Sequence, residues 1–240
     1  MLRFLWYNDN ARVMSRTQTN PSRTKPGWSD VVPYETRLSQ DRRWALTEAS
    51  EFFQGKGGIQ ASLRRIARRL DQIGVPYAVV GGLALFQHGF RRFTEDIDIL
   101  VRREGLKAIH DNLEGLGYVR PFAGSKHLKD TESGTRIEFL IAGEYPGDGK
   151  PKSVAFPDPD DAAVMIDGIR YINLPKLVEL KLASGMTGAT RMQDITDVFR
   201  LIAVLNLPQQ FRDQLDPFVR EKYDELWQAA QTASDSEREP

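Results

Sequence analysis

The segment VVGGLALFQHGFRRFTEDIDILV, residues 79–101, decides how this chain folds. An apolar run ends at the paired glycines Gly81 and Gly82, and two aspartates, Asp96 and Asp98, later flank a single isoleucine. This order of residue types predicts a buried strand, a glycine turn, a short helix and a second strand. Two interpretations are open: a plain turn before a half-exposed strand, or a phosphate-holding loop that faces a pair of metal-binding carboxylates.

The chemistry of the paired residues favours the second interpretation. Residues i and i+2 of a strand point the same way, so Asp96 and Asp98 share one face and Ile97 shares the other with the core. Two carboxylates on one face repel each other unless a cation lies between them. Mg²⁺ (or Mn²⁺) suits this position, because it takes oxygen ligands and is commonly shared with substrate phosphates. Glycines before a helix N-terminus let backbone N–H groups approach phosphate oxygens.

The run GGLALFQHGFRRFTEDIDILV resembles the signature of the nucleotidyltransferase fold superfamily, Gly-Gly or Gly-Ser followed some ten or more residues later by Asp-x-Asp. It is most similar to the AbiEii-type toxin nucleotidyltransferases, closely over residues 77–101 and more loosely to about residue 205. The resemblance implies a polymerase-beta-like α/β core with Asp96 and Asp98 as metal ligands. It also implies transfer of an NMP from an NTP, such as ATP, with release of pyrophosphate.

The same resemblance implies further site residues. Superfamily members carry a third carboxylate that acts as general base or metal ligand, and Glu138 in TRIEFLI is the candidate, one methylene longer than the usual Asp. Lys181 and Asp194 match a lysine and a downstream aspartate of the AbiEii branch, with Asp197 a weaker candidate; they would bind and orient the triphosphate. Arg92 matches as a residue that neutralises phosphate or pairs with the acids. Ordinary surface roles are the alternatives.

The pattern of the whole chain predicts an α/β (α+β) fold, a small mixed β-sheet flanked by helices and followed by a helical unit. We expect a nucleotidyltransferase core over residues 46–172, a helical C-terminal unit over 173–232 and a disordered tail over 233–240. Residues 1–45 show no sustained periodicity and are expected to be a mobile extension. In the helix EGLKAIHDNLEGLG, Leu116 is among the residues expected to face inward.

Composition excludes several classes of protein. The 240 residues include 33 Lys/Arg and 33 Asp/Glu, so net charge gives no general reason to expect nucleic-acid or membrane binding. The absence of cysteine excludes disulfides, thiolate zinc sites and cysteine nucleophiles, and it fits a reducing cytoplasm. No apolar run approaches the ~20 residues that span a bilayer. A cytoplasmic protein without a membrane partner is therefore expected.

The acceptor of the transferred nucleotide stays open. The AbiEii resemblance suggests the 3′ end of tRNA or another RNA, in a toxin–antitoxin setting with an antitoxin protein as partner. A small-molecule antibiotic or a protein hydroxyl would use the same site. The alternative is a catalytically silent module that binds NTP or RNA. The glutamate Glu138 in place of the usual third aspartate supports this alternative. The intact Asp96, Asp98 and glycine pair favour the enzyme.

Overall fold

The computed structural model describes residues 26–236, which form a mixed α/β fold around one seven-stranded sheet. The strands are β1 (Tyr77–Val79), β2 (Asp96–Val101), β3 (Tyr118–Val119), β4 (His127–Asp130), β5 (Arg136–Ile141), β6 (Ala163–Ile166) and β7 (Ile169–Ile172). Their order across the sheet is β3-β4-β5-β2-β1-β7-β6. β2 pairs in parallel with β5, and β1 with β7, while the other neighbours are antiparallel. The predicted mixed sheet is confirmed.

Helices surround this sheet and complete the chain. They are α1 (Tyr34–Gln40), α2 (Arg42–Phe53), α3 (Gly57–Gln72), α4 (Gly81–Gln87), α5 (Arg103–Leu113), α6 (Pro159–Ala162), α7 (Leu174–Gly185), α8 (Met192–Leu205) and α9 (Pro217–Ser236). Short 3₁₀ turns lie at Trp28–Asp30, Ala189–Arg191 and Gln209–Gln214. Within the described ranges, no helix combines the length and the apolar character that crossing a bilayer requires.

The apolar face of α3 shows how the core covers one side of β2. Leu63 and Ile66 of α3 are fully buried at helical spacing, whereas Arg68 is exposed. Ile97 and Ile99 of β2 are fully buried in the same apolar cluster. Because side chains alternate along a strand, burial of both isoleucines directs the neighbouring aspartates to the opposite face.

The folded core begins earlier than the predicted residue 46. Residues 28–45, expected to belong to a mobile extension, form a 3₁₀ turn, α1 and the start of α2. Tyr34 is fully buried, and Lys129 of β4 donates two hydrogen bonds of 3.0 Å to backbone carbonyls of this segment. α1 has only seven residues, and the segment is held by Lys129 from a distant strand, a contact that no local pattern indicates. The prediction for residues 1–25 lies outside the described residues.

Two smaller expectations also differ from the structure. Leu116 is 59% exposed, because α5 ends at Leu113 and the chain then turns away from the helix axis. The predicted tail from residue 233 onward continues α9 as far as Ser236. Residues 237–240 lie outside the described part of the chain.

The helical C-terminal segment starts directly after the sheet. Asn173 follows β7 and caps α7, its side-chain oxygen accepting a hydrogen bond of 3.0 Å from the Lys176 backbone N–H. Pro175 lies in the first turn, where its missing N–H has no cost. α7, α8 and α9 pack on one another, and α7 also contacts α4. This contact brings the C-terminal helices beside α4, the helix that begins with the glycine pair.

Candidate active site

Gly81 and Gly82 join β1 to α4 and pack directly against the segment that contains the aspartates. Gly81 has a left-handed φ of 59°, and a Cβ there would lie 1.9 Å from Asp98 Oδ2. A Cβ on Gly82 would lie 2.7 Å from the Cβ of Thr94. As the first two residues of a helix, both glycines also have backbone N–H groups without intrahelical acceptors. The pair is therefore required by close approach, not only by a turn.

The two aspartates of β2 differ in their partners. Asp96 Oδ1 accepts a hydrogen bond of 2.9 Å from the Thr94 hydroxyl. Within the described residues, the Asp98 carboxylate has no hydrogen bond and no ion pair. Burial, followed by the negative charges of Asp96 and Glu138, raises the pKa of Asp98 to about 7. The site therefore holds a carboxylate whose charge the folded chain leaves uncompensated.

Glu138 lies beside Asp98 through the pairing of β5 with β2. The two residues are register partners in the parallel ladder, so their side chains share one face of the sheet. The Glu138 carboxylate accepts a hydrogen bond of 3.0 Å from Arg136 Nη2, and His127 Nδ1 lies 3.9 Å away. Burial and then the charge of Arg136 lower the pKa of His127. Glu138 is thus next to the aspartates but is bound to a cation of its own strand.

The residues present fit a divalent metal at the aspartate pair. Asp96 and Asp98 offer oxygen atoms on one face, and a cation there would offset the burial and the neighbouring negative charges that raise the pKa of Asp98. In the described ranges no group of three His, Cys, Asp or Glu side chains is arranged to hold a metal. Asp96, Asp98 and Glu138 do not form such a group, and Glu138 makes an ion pair with Arg136. The role of Glu138 as a third metal ligand stays a prediction.

Lys181 and Asp194 form a buried contact between α7 and α8. Lys181 Nζ lies 2.8 Å from Asp194 Oδ1 and 2.7 Å from Asp197 Oδ2, and the lysine is only 7% exposed. The Ser184 hydroxyl, one turn along α7, donates a hydrogen bond of 2.7 Å to Asp194 Oδ2. Asp194 is therefore held by Lys181 and Ser184, and its predicted role in nucleotide binding stays a prediction.

Arg92 completes this group from the loop before β2. Its Nε and Nη2 atoms donate hydrogen bonds of 2.9 and 3.1 Å to the two carboxylate oxygens of Asp197, which is fully buried. Burial alone would raise the pKa of Asp197, but Lys181 and Arg92 together hold it below its usual value. We call Arg92, Lys181, Asp194 and Asp197 the ion cluster. Asp197 was the weaker candidate from sequence, yet it links the lysine to the arginine.

The predicted catalytic and nucleotide-binding residues all line one cleft of about 570 Å³. Its lining includes Gly81, Gly82, Arg92, Asp96, Asp98, Glu138, Lys181 and Asp194. Apolar side chains lie among them: Phe93, Leu140, Phe156, Leu177 and Leu180. The cleft thus combines a carboxylate wall from the sheet with a polar wall from α7 and α8.

Sequence reasoning assigned no role to several other residues of the cleft. These are chiefly Thr94, Ser184, Thr190, Arg191 and Gln193. Helical spacing could have indicated some of them, since Ser184 lies three residues after Lys181, and Arg191 three before Asp194. Thr94 lies two residues before Asp96, and it contributes through its hydrogen bond to Asp96 and its close approach to Gly82.

The chain is similar to several solved structures at low sequence identity. It resembles ANT(2″)-Ia in complex with adenylyl-2″-tobramycin, with 13% identity and a TM-score of 0.44 over 72% of this chain and 97% of that one. It also resembles JHP933 from Helicobacter pylori, with 16% identity and a TM-score of 0.41 over 74% and 91% of the two chains. For an antigenic nucleotidyltransferase-like protein from Paracoccidioides brasiliensis, the identity is 15% and the TM-score 0.40, over 74% and 87%.

No curated protein sequence matches the chain. A sequence family described as uncharacterised nucleotidyltransferase matches residues 28–156, which is more than half of the chain. The match starts at the 3₁₀ turn that precedes α1, contains the glycine pair, both aspartates and Glu138, and ends before α6. The chain belongs to this family of uncharacterised nucleotidyltransferases.

Proposed function

We propose that this protein transfers an NMP from an NTP to an acceptor hydroxyl in the cleft described above, with release of pyrophosphate. The observation that carries the proposal is the Asp98 carboxylate, which lies beside Asp96, against Gly81, with no cationic partner among the described residues. A folded protein gains nothing in stability from such a group, since an uncompensated carboxylate is costly. A ligand that brings positive charge explains why it is there.

Asp96 and Asp98 would hold the Mg²⁺ or Mn²⁺ that the family's chemistry implies, and Thr94 fixes the rotamer of Asp96 through its hydrogen bond. Bound there, a divalent ion would neutralise triphosphate charge and promote ionisation of the attacking hydroxyl. Glu138 would join this ligand set, or act as general base, after exchanging its contact with Arg136. Because β5 pairs in register with β2, only its side chain has to move.

The glycine pair and the polar wall of the cleft would together hold the triphosphate. The backbone N–H groups at Gly81 and Gly82 are available to phosphate oxygens. Lys181 has three N–H donors and uses two of them on Asp194 and Asp197, so one donor remains for a phosphate oxygen. In the transfer step the acceptor oxygen bonds to the α-phosphorus, the bond to the β-phosphate oxygen breaks, and Glu138 receives the hydroxyl proton.

Two acceptor classes remain in the proposal. The resemblance to AbiEii-type toxins supports an RNA 3′ end, such as that of tRNA, with an antitoxin protein as partner. The charge of the cleft favours a small cationic acceptor instead. Five carboxylates line it, from Glu95, Asp96, Asp98, Glu138 and Asp194. Of its three cations, Arg92 and Lys181 are already paired with aspartates.

A labelling experiment tests the function and separates the acceptors. The protein is incubated with each α-³²P NTP and Mg²⁺, in parallel with total tRNA and with an aminoglycoside. We expect label on one acceptor with the wild type and with Asp111→Ala, which changes an exposed acid of α5, but not with the Asp96→Ala/Asp98→Ala double variant. Mg²⁺-dependent NTP binding without transfer to any acceptor would instead support a silent binding module. Failure to bind any NTP would contradict the proposal altogether.

A further inference from the structure

The cationic side chains of the cleft differ in whether a carboxylate of the protein already neutralises their charge. Among the described residues, Arg92, Lys181 and Arg191 are the cationic side chains that line it. Arg92 binds Asp197, and Lys181 binds both Asp194 and Asp197. The formal charges of this ion cluster, two positive and two negative, sum to zero. The cluster therefore offers hydrogen-bond donors to a ligand but no net positive charge.

Arg191 is different, because its guanidinium forms no hydrogen bond or ion pair with any other described residue. The side chain is exposed at the wall of the cleft, at the turn that leads into α8. Its backbone is well held, since the Arg191 N–H donates a hydrogen bond of 3.0 Å to the Gly188 carbonyl. Asp194, one turn further along α8, is fixed by Lys181. The ion cluster thus holds the start of α8 in place and leaves the Arg191 side chain free.

We propose that Arg191 binds the triphosphate of the incoming NTP and supplies the net positive charge that the ion cluster lacks. The inference rests on the proposed function and identifies a further binding residue for it. A guanidinium suits this role, because it contacts two phosphate oxygens at once and stays charged at any physiological pH. Arg92 then positions α8 through Asp197, Lys181 contributes its one remaining donor, and Arg191 moves from solvent onto the phosphates when the nucleotide enters.

The chain offers a matched control for this inference. Arg200 lies on the same helix, is also exposed and does not line the cleft. We would measure equilibrium binding of each non-hydrolysable α,β-imido NTP analogue in the presence of Mg²⁺. Arg191→Ala should weaken binding by at least about ten-fold, the usual scale for losing charge-assisted hydrogen bonds. Arg200→Ala should leave it within about two-fold, and Arg191→Lys should recover part of the loss because the charge is kept.

The outcomes separate this inference from the proposed function. If the wild type binds an analogue and Arg191→Ala binds it equally well, the role of Arg191 is refuted while nucleotide binding stands. If the wild type binds none of the analogues, both proposals fail. Because the Arg191 side chain forms no hydrogen bond or ion pair with a described residue, the melting temperature of Arg191→Ala should match that of the wild type. A loss of affinity that came with unfolding would count against a binding role.

Discussion

Asp98 and Asp197 lie in the same region of the protein, but their surroundings shift the pKa of the two carboxyl groups in opposite directions. Burial raises the pKa of both carboxyl groups. For Asp98 the neighbouring acids add to this and bring the pKa to about 7, whereas for Asp197 the cations Lys181 and Arg92 reverse it and bring the pKa below its usual value. The neighbours, not burial, decide the sign. Asp197 is compensated by cations of the fold itself, whereas Asp98 has no hydrogen bond or ion pair among the described residues.

The largest expected effect comes from removing the uncompensated pair. Asp96→Ala and Asp98→Ala should each lower the nucleotidyl-transfer rate by roughly 10³-fold, as loss of a preorganised electrostatic group does. Because these carboxylates repel each other, the variants should fold at least as well as the wild type. Transfer rates and urea unfolding would be measured on the same preparations. A variant that lost stability together with activity would show that the aspartates also have a structural role.

Removing the compensated carboxylate should act on stability instead. Asp197→Asn leaves two cations facing a buried neutral group, so the free energy of unfolding should fall by about 3 kcal/mol. Asp111→Asn breaks only the exposed ion pair with Lys107 and should change the free energy of unfolding by less than about 0.5 kcal/mol. Urea unfolding of both variants makes the comparison. Equal effects would mean that burial of the ion cluster contributes little.

Two glycines test the close approach at the aspartate pair. Gly81 and Gly74 both have left-handed φ angles, of 59° and 67°, but a Cβ on Gly74 meets nothing within 4 Å. Gly74→Ala should therefore cost only backbone strain, about 1 kcal/mol. Gly81→Ala adds the clash with Asp98 and should cost about 2 kcal/mol or more, with loss of transfer activity. Unfolding free energies that matched in the two variants would show that the Asp98 carboxylate moves aside at little cost.

The smallest expected effect is a pH dependence of opposite sign at the two aspartates, measured by urea unfolding in EDTA. The raised pKa of Asp98 means that its ionisation opposes folding, so Asp98→Asn should gain stability over wild type as pH rises from about 4 to about 7. The lowered pKa of Asp197 means that its stabilising contribution is present above about pH 4 and is lost below it.

The deficit of Asp197→Asn should accordingly stay constant between about pH 5 and 8 and shrink in more acidic solution. Parallel pH profiles for Asp98→Asn and Asp197→Asn would contradict the assignment of opposite surroundings.

Much of the fold follows from local pattern. The alternation of DIDILV predicts β2, and the spacing of apolar residues predicts α3, because a period of two or of 3.6 is set by each segment alone. β3, β4 and β6, with two, four and four residues, were not predicted, since segments this short do not establish a period. The helices of residues 34–45 were missed as well, because they are held by Tyr34 and by hydrogen bonds from the distant Lys129.

The sequence by itself determined the residue types of the candidate site and their order along the chain: a glycine pair, two aspartates on one strand face, and a later glutamate, lysine and aspartate. Only the tertiary structure decided which charged side chains are paired with an opposite charge within the protein. Asp197 lies 105 residues from Arg92, and Glu138 meets Asp98 only through strand pairing. Whether a charged group is compensated depends on neighbours brought together by folding, and no local pattern records those neighbours.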